Sequence, residues 1–467
     1  MSTETITTIS PITNSPILTR QGISEASFSD VLATSTNAFS TFRHTHPLSQ
    51  RQEIVKKALS TLLSKQDELA KEITQQMGRP IAYTAKEVAT AVKRGEYLLK
   101  VSSEVLADTP GEEEEGFRRW IRKEPLGPVL VVFAWNYPYL ILINSLVPAL
   151  LAGNTLLLKP SPQTPTIAEH MVEIFAEAGL PEGVLQTIHC GNLKTLEKLV
   201  ARPEIRSIAF TGSVAGGIAI QKAAASRVVP VGLELGGNDP AYVRADVDVA
   251  WAAEEIVDGA VFNSGQSCCS IERVYVHESV YEEFLEKVVK VLEGYKLGDP
   301  FDPKTHLGPV VAVKSAKTIS EHVADAVKKG ARLLTPDVFA DGQKLGETFV
   351  RPELLADCTH EMRVMNEETF GPIIPVQKVS GDEEAIRLMN DSEFGLTASV
   401  WTKDVEQGEA LVEKIEAGTV FVNRCDYPSP DLAWTGWKNS GRGQTLSKFG
   451  FDAFVRLKSF HLKNYPK

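Results

Sequence analysis

From Gly127 onward the chain alternates short, almost wholly apolar runs with helical patterns. The runs PVLVVFAW, TLLLKPS, LQTIHC, IRSIAFTGS and VVPVGLELGG read as five strands. Between them, YPYLILINSLVPALLAGN (closed by Gly153), TPTIAEHMVEIFAEAGL, Leu193 to about Val200, and VAGGIAIQKAAASR read as four helices. A strand apolar on both faces needs cover on both faces, and parallel neighbours need a crossover that a helix supplies. The alternation predicts an α/β fold built on a Rossmann-like, doubly wound parallel sheet, which takes nucleotides at the carboxyl ends of its strands.

A second α/β block runs from about Asn238 to Lys438. RVYVHE, FVRPELL, GPIIPVQKV and TASVWT are its strand candidates, and VYEEFLEKVVKVLEGY and KSAKTISEHVADAVKKG its helices. Two strand-like segments, WIRKEPLG from Trp120 and FDAFVRLKSFHLKN in the tail, fit neither block. Residues 1–48 are rich in Ser and Thr with little periodicity and are expected to wrap the surface. Ser49 and Gln52 have capping-box spacing. A helix is expected to follow, with Ile54, Ala58, Leu59, Leu62 and Leu63 on one face, ending by the stop signal Gly78-Arg79-Pro80.

The 467 residues exceed what one core serves, so two or more lobes are expected. A net charge of -11 repels phosphate backbones, which excludes nucleic acid as a partner. The acidic run Glu112 to Glu115 reads as a solvated loop. The polar opening residues lack a basic stretch followed by an apolar one, so no signal peptide is expected. The most apolar run, Tyr137 to Leu151, is broken by Asn144, Ser145 and Pro148, and no membrane partner is expected. Cys190, Cys268, Cys269, Cys358 and Cys425 are odd in number and irregular in spacing, with no CxxC and no Cys/His set at metal-ligand spacing. Free thiols, a reducing cytoplasmic setting and no metal site are expected.

Four features carry chemistry. The dinucleotide fingerprint GxGxxG is missing after the first strand, where Trp135-Asn136-Tyr137-Pro138 stands instead. The fourth strand ends in Phe210-Thr211-Gly212-Ser213, with Gly216 and Gly217 at a helix start. The N–H groups there suit a pyrophosphate, although such a turn also serves as a plain helix cap. Lys159 ends the second strand, where it can reach a ribose or simply meet water. Cys268 lies in the polar, Gly-bearing loop Asn263-Ser264-Gly265-Gln266-Ser267-Cys268-Cys269, as a reactive thiol requires, whereas most buried cysteines are inert. Glu234 interrupts an apolar stretch; burial raises a carboxyl pKa, which suits a general base, and the alternatives are a cap or a buried ion pair.

Taken in order, FAWNYP, KPSPQTP, FTGS, LELGGND, NSGQSC, NEETFGP and SGRG closely resemble the aldehyde dehydrogenase superfamily, from about residue 49 to residue 464. The resemblance implies a homo-oligomeric (dimer or tetramer), NAD- or NADP-dependent, hydrolytic enzyme acting on a small aldehyde. Cys268 would be the nucleophile and Glu234 the general base. The Asn136 amide and the Cys268 N–H would hold the oxyanion. Lys159 would bind the adenine ribose and Ser213 the pyrophosphate. Glu368 would bind the nicotinamide ribose, with Phe370 beside the ring, and Trp135, Ser161, Gly212 and Gly217 would complete the cofactor site. Tyr137, Asn144, Ser267, Cys269 and Trp434 would line the substrate pocket. Residues 1–106 with 126–236 would form the nucleotide-binding domain and 237–437 the catalytic domain. The small β oligomerisation arm would be 107–125 with 452–467.

Three features depart from the family pattern. Pro162 stands where NAD-preferring relatives carry a Glu, which implies that NADP is also accepted. Ala433-Trp434-Thr435-Gly436 replaces Pro-Phe-Gly-Gly, and Ser270 replaces a smaller residue or Cys. Relatives that oxidise succinic semialdehyde generally carry an Arg eight residues beyond the oxyanion Asn; here that residue is Asn144. Neutral apolar or aromatic aldehydes are therefore expected, unless Arg424 supplies the charge. Two other readings stand beside this one: a catalytically silent protein on the same fold, and a cofactor-free Cys hydrolase, which would need an activating His.

Overall fold

The computed structural model describes residues 4–465. The outermost residues of the polar N-terminal stretch (1–3) and of the C-terminal Asn-Tyr-Pro-Lys (466–467) lie outside the described residues.

The five predicted strands form one parallel sheet in the order Val231–Glu234, Ser207–Thr211, Pro128–Val132, Thr155–Lys159, Leu185–Thr187. Strand Pro128–Val132 is buried throughout, as is Thr155–Lys159, because helices cover both faces. The strand order reverses beside Pro128–Val132, which is where doubly wound sheets leave a crevice. Helix Pro138–Ala152 ends at Gly153, whose φ of 98° is the left-handed closure the sequence implied. A short segment, Gly441–Arg442, pairs antiparallel with Leu233–Glu234 and extends this sheet from the far end of the chain.

The second sheet has seven strands, with Ile373–Val379, Ile271–His277, Asp239–Val243, Thr397–Trp401 and Thr419–Val422 running parallel. The two segments that fitted neither block pair with each other: Val455–Lys463 lies antiparallel to Phe117–Pro125, residue for residue. With Thr109–Pro110 they make a three-stranded sheet, fixed at its centre by Trp120 stacked on Phe460 at 4.5 Å. Residues Glu112 to Glu115 form an exposed loop. No helix among the described residues is long and apolar enough to cross a membrane.

The N-terminal expectations need correction. Residues 1–48 hold a hairpin, Thr5–Ile9 with Pro16–Gln21, and an 18-residue helix, Phe28–Thr45. Its buried residues Phe28, Leu32, Ser35 and Phe42 do repeat at helical spacing, but Ser and Thr dilute the signal. The next helix begins at Leu48 with Pro47 as its cap, so Ser49 and Gln52 form no capping box. Gln52 instead donates to Ser102 and Ser103, a tertiary choice that local spacing cannot foresee. The expected single helix is two, Leu48–Ser64 and Gln66–Met77. A 25-residue helix, Ile81–Val105, follows the stop signal and packs against helix Pro138–Ala152.

Candidate active site

Cys268 sits at the end of a backbone that runs through three consecutive left-handed residues: Asn263 (φ 54°), Ser264 (φ 56°) and Gly265 (φ 71°). Each non-Gly residue in that region costs about 1–3 kcal/mol, so the loop must be over-determined by its partners. Ser264 donates to the Gly308 carbonyl at 2.8 Å. The Gln266 side chain accepts from the Val311 N–H at 2.8 Å and donates to the Asn263 carbonyl at 3.0 Å. Gly237 is required by this loop, because a Cβ there would stand 2.4 Å from the Cys268 carbonyl oxygen. The Cys268 thiol is half-buried, and its N–H makes no backbone hydrogen bond. Asn136 is buried and donates from Nδ2 to the Gln266 carbonyl at 3.2 Å, which points its amide at the loop with one N–H to spare.

The two neighbouring thiols sit in different surroundings, Cys268 half-buried and Cys269 buried. Cys269 is buried and donates to Asp426 Oδ1 at 2.8 Å. Its hydrogen bond with Cys268, together with burial, pushes its pKa well up, so it stays a neutral thiol. Asp426 also accepts from Ser267 Oγ at 3.1 Å, and burial raises its own pKa to about 6. Ser270 donates to the carbonyls of Gly259 and Ala260 at 3.1 and 2.9 Å, closing the end of helix Val249–Val261.

Glu234 ends its strand and faces the same space. Its carboxylate accepts from Thr211 at 3.3 Å and from Thr445, and burial raises its pKa. Cys268, Glu234 and Asn136 line one cavity of about 290 Å³, with Tyr137, Asn144, Ser267, Cys269 and Trp434 in its wall. Arg424 does not join them; it is exposed and lies over the Tyr427 ring at 3.7 Å. Among the described residues no histidine lines the cavity, so nothing there supplies the base that the Cys-hydrolase alternative needs.

The remaining sequence-predicted residues gather on the carboxyl edge of the first sheet and the amino edge of the second. Ser213 caps helix Val214–Ala224, accepting from the Gly216 N–H at 3.2 Å. Gly217 turns inward instead: a Cβ would stand 2.6 Å from Leu235, so this glycine lets the helix approach the sheet. Lys159 is buried, and burial lowers its pKa. Ser161 accepts from the Gln163 N–H at 3.2 Å in the turn that follows, and the Pro162 carbonyl accepts from Thr8 of the N-terminal hairpin. Glu368 accepts from the Gly237 N–H at 3.0 Å, and Phe370 meets the Trp135 ring edge-on at 5.7 Å. The Glu367–Phe370 loop is tied to the Cys268 strand by Glu272, whose carboxylate accepts from the N–H groups of Thr369 and Phe370 at 2.8 and 2.7 Å. A helix N-terminus, a buried cation and an aromatic pair at these sheet edges are groups that suit a nicotinamide dinucleotide.

Sequence reading missed Asp426, Thr445 and Arg94. The SGRG motif was the available pointer to Thr445, three residues beyond its Arg442, since its strand pairing brings that segment to Glu234. Arg94 lies in the helix Ile81–Val105, on a stretch without any chemical motif.

The carboxyl edge of a doubly wound sheet, next to a cavity lined by a cysteine, a carboxylate and an amide, suits an oxidoreductase acting on a carbonyl carbon. The chain belongs to the aldehyde dehydrogenase family: the family model described as "Aldehyde dehydrogenase family" matches residues 1–460. It is 32% identical over 456 residues, 97% of this chain and 96% of the relative, to "Succinate-semialdehyde dehydrogenase [NADP(+)]" of Mycobacterium avium (strain 104). It is 35% identical over 457 residues to "Aldehyde dehydrogenase" of Paenarthrobacter nicotinovorans, covering 97% and 99% of the two chains. The solved succinic semialdehyde dehydrogenase of Streptococcus pyogenes, in complex with NADP+, superposes with a TM-score of 0.92 at 29% identity and covers 98% of this chain and 100% of that one. The protein is an NAD(P)-dependent aldehyde dehydrogenase.

Proposed function

We propose that the enzyme oxidises its aldehyde to the free carboxylic acid through a covalent adduct on Cys268, hydrolysed with Glu234 as general base. The observation that carries this is the convergence of a half-buried thiol, a buried carboxyl and a spare amide N–H on one cavity. The Cys268 sulfur adds to the carbonyl carbon, and the C=O pair moves onto oxygen. The Asn136 amide and the Cys268 N–H donate to that oxygen as charge develops. The nicotinamide ring, when bound, supplies the hydride acceptor. Loss of hydride leaves a thioester on Cys268. Glu234 then takes a proton from water, the hydroxyl adds to the acyl carbon, and the C–S bond breaks to return the thiolate and release the acid. Cys269, kept neutral, takes no part.

The cofactor is NAD or NADP. Lys159 and Ser161 are assigned to its adenine ribose, Gly212 and Ser213 to the pyrophosphate, and Glu368 with Phe370 and Trp135 to the nicotinamide end. Gly217 acts by letting the helix approach. Relatives named for NADP+ fit the absence of a carboxylate at Pro162. Residues 1–106 with 126–236 serve as the nucleotide-binding domain, 237–437 as the catalytic domain, and 107–125 with 452–467 as the arm through which a homodimer or homotetramer assembles. Five unpaired thiols fit a reducing, cytoplasmic setting.

Rapid mixing tests the two half-reactions. Glu234→Gln is expected to give one burst of reduced cofactor and then stall, because an amide cannot take the proton from water. Cys268→Ala is expected to bind cofactor and give no burst, while Cys269→Ala turns over. Wild-type steady-state turnover in Glu234→Gln would remove that residue from the mechanism.

A further inference from the structure

Three charged side chains line the cavity that holds Cys268: Glu234, Asp426 and Arg94. Both carboxylates are satisfied, each accepting two side-chain hydrogen bonds. Arg94 is not. It is 6% exposed, and its guanidinium makes two long hydrogen bonds to neutral acceptors, Asn144 Oδ1 and the Pro428 carbonyl, both at 3.4 Å. Its Nε is buried with no partner. Arg79, whose Nε is also unpartnered, differs in one respect: as deeply buried, it forms an ion pair with Glu87. A guanidinium carries five N–H donors and stays charged, and a cation withdrawn from water without a counter-charge is costly.

We infer that Arg94 is the anchor for a carboxylate at the far end of the substrate, so that the enzyme's aldehydes are short ω-oxo acids. The guanidinium fork matches a planar carboxylate, which would take the spare N–H groups of Nη1 and Nη2 and stand in direct ion-pair contact, where Glu234 and Glu87 act on Arg94 only from a distance. Asn144 holds the guanidinium from helix Pro138–Ala152, whose first turn follows directly on Asn136. One helix therefore sets both the oxyanion donor and the tail anchor. The expectation of neutral aldehydes, drawn from Asn144 standing in place of an Arg, is set aside: the cation reaches the same spot from helix Ile81–Val105. Arg94, Asn144 and Cys268 line one cavity of about 290 Å³, so the tail and the aldehyde carbon share it.

The inference rests on Cys268, Glu234 and Asn136 being the reaction centre. It is tested by kcat/KM for 4-oxobutanoate and for its neutral isostere 4-methylpentanal, in wild type, Arg94→Met and Arg94→Lys. Wild type is expected to favour the oxo acid by roughly tenfold or more, the size of a charge-assisted contact. Arg94→Met should lose about that factor on 4-oxobutanoate, mainly in KM, and change little on 4-methylpentanal. Arg94→Lys should recover part of the loss. Equal losses on both substrates, or a wild type that prefers 4-methylpentanal, would overturn the assignment. If Arg94→Met does not fold, the wild-type ratio and the lysine variant decide alone. Failure of the underlying chemistry looks different: Cys268→Ala would still turn over 4-methylpentanal, whatever the tail preference.

Discussion

Burial holds the Glu368 carboxyl up at about 8, with the Glu272 carboxylate adding to the effect. Glu272 itself is raised to about 7 by burial, although three hydrogen bonds oppose that. Both groups are ordinary carboxylates when the chain is unfolded, so folding takes up protons. The folded state then binds more protons than the unfolded one between the usual carboxylate range and about pH 8. Stability is greatest at the acid end of that window and falls as pH rises through it. We expect Tm to decline from pH 6 to pH 9, and Glu368→Gln to flatten the upper part of that slope. A Glu368→Gln protein with the wild-type slope would show that the carboxyl titrates normally. Such shifts cannot be read from a sequence, because NEETFGP does not say that Glu272 waits beneath it.

At the scale of elements, the Cys268 loop depends on glycines that leave space for backbone. A Cβ at Gly237 would collide with the Cys268 carbonyl oxygen at 2.4 Å and with Asp239 Oδ1 at 2.7 Å. The loop, already held in left-handed conformations, would have to move. Gly237→Ala is expected to cost about 1–3 kcal/mol of stability, as overpacking does. Displacing the nucleophile by an ångström is expected to lower kcat by up to about a hundredfold. Gly381, with nothing within 4 Å and an extended φ of 166°, should accept Ala with little change in either quantity. A Gly237→Ala enzyme with wild-type kcat would mean that the loop is more pliable than its hydrogen bonds imply. LELGG and NSGQSC announced their elements, while Ile81–Val105, which carries Arg94, Glu87 and part of the core, has no motif at all.

At the largest scale, the three-stranded sheet of Thr109–Pro110, Phe117–Pro125 and Val455–Lys463 presents an edge strand to solvent. Strand Val455–Lys463 is its edge, paired on one side only, and carries Leu457 at 67% and Leu462 at 43% exposure. An exposed edge with apolar side chains invites a second chain. If this arm builds the oligomer, Leu457→Glu should shift sedimentation toward the monomer and leave the Cys268 burst intact. A variant that sediments as wild type would place the contact elsewhere.

The sequence by itself determined the two α/β blocks, the strand that became Glu234's support and the loop that presents Cys268. Those features depend on local patterns: runs apolar on both faces, turn glycines, and helix stops. It also determined that segments near Trp120 and Phe460 were strands. Only the tertiary structure decided that they pair, that Gln52 serves Ser102 and Ser103 rather than a cap, and that Asp426 and Thr445 reach the site from the last fifth of the chain. It also placed Arg94, fifty residues earlier in the chain, beside Asn144 in the wall of the Cys268 cavity. Contacts between elements far apart in the chain leave no periodicity, so the physics that sets them becomes visible only once the helices have packed.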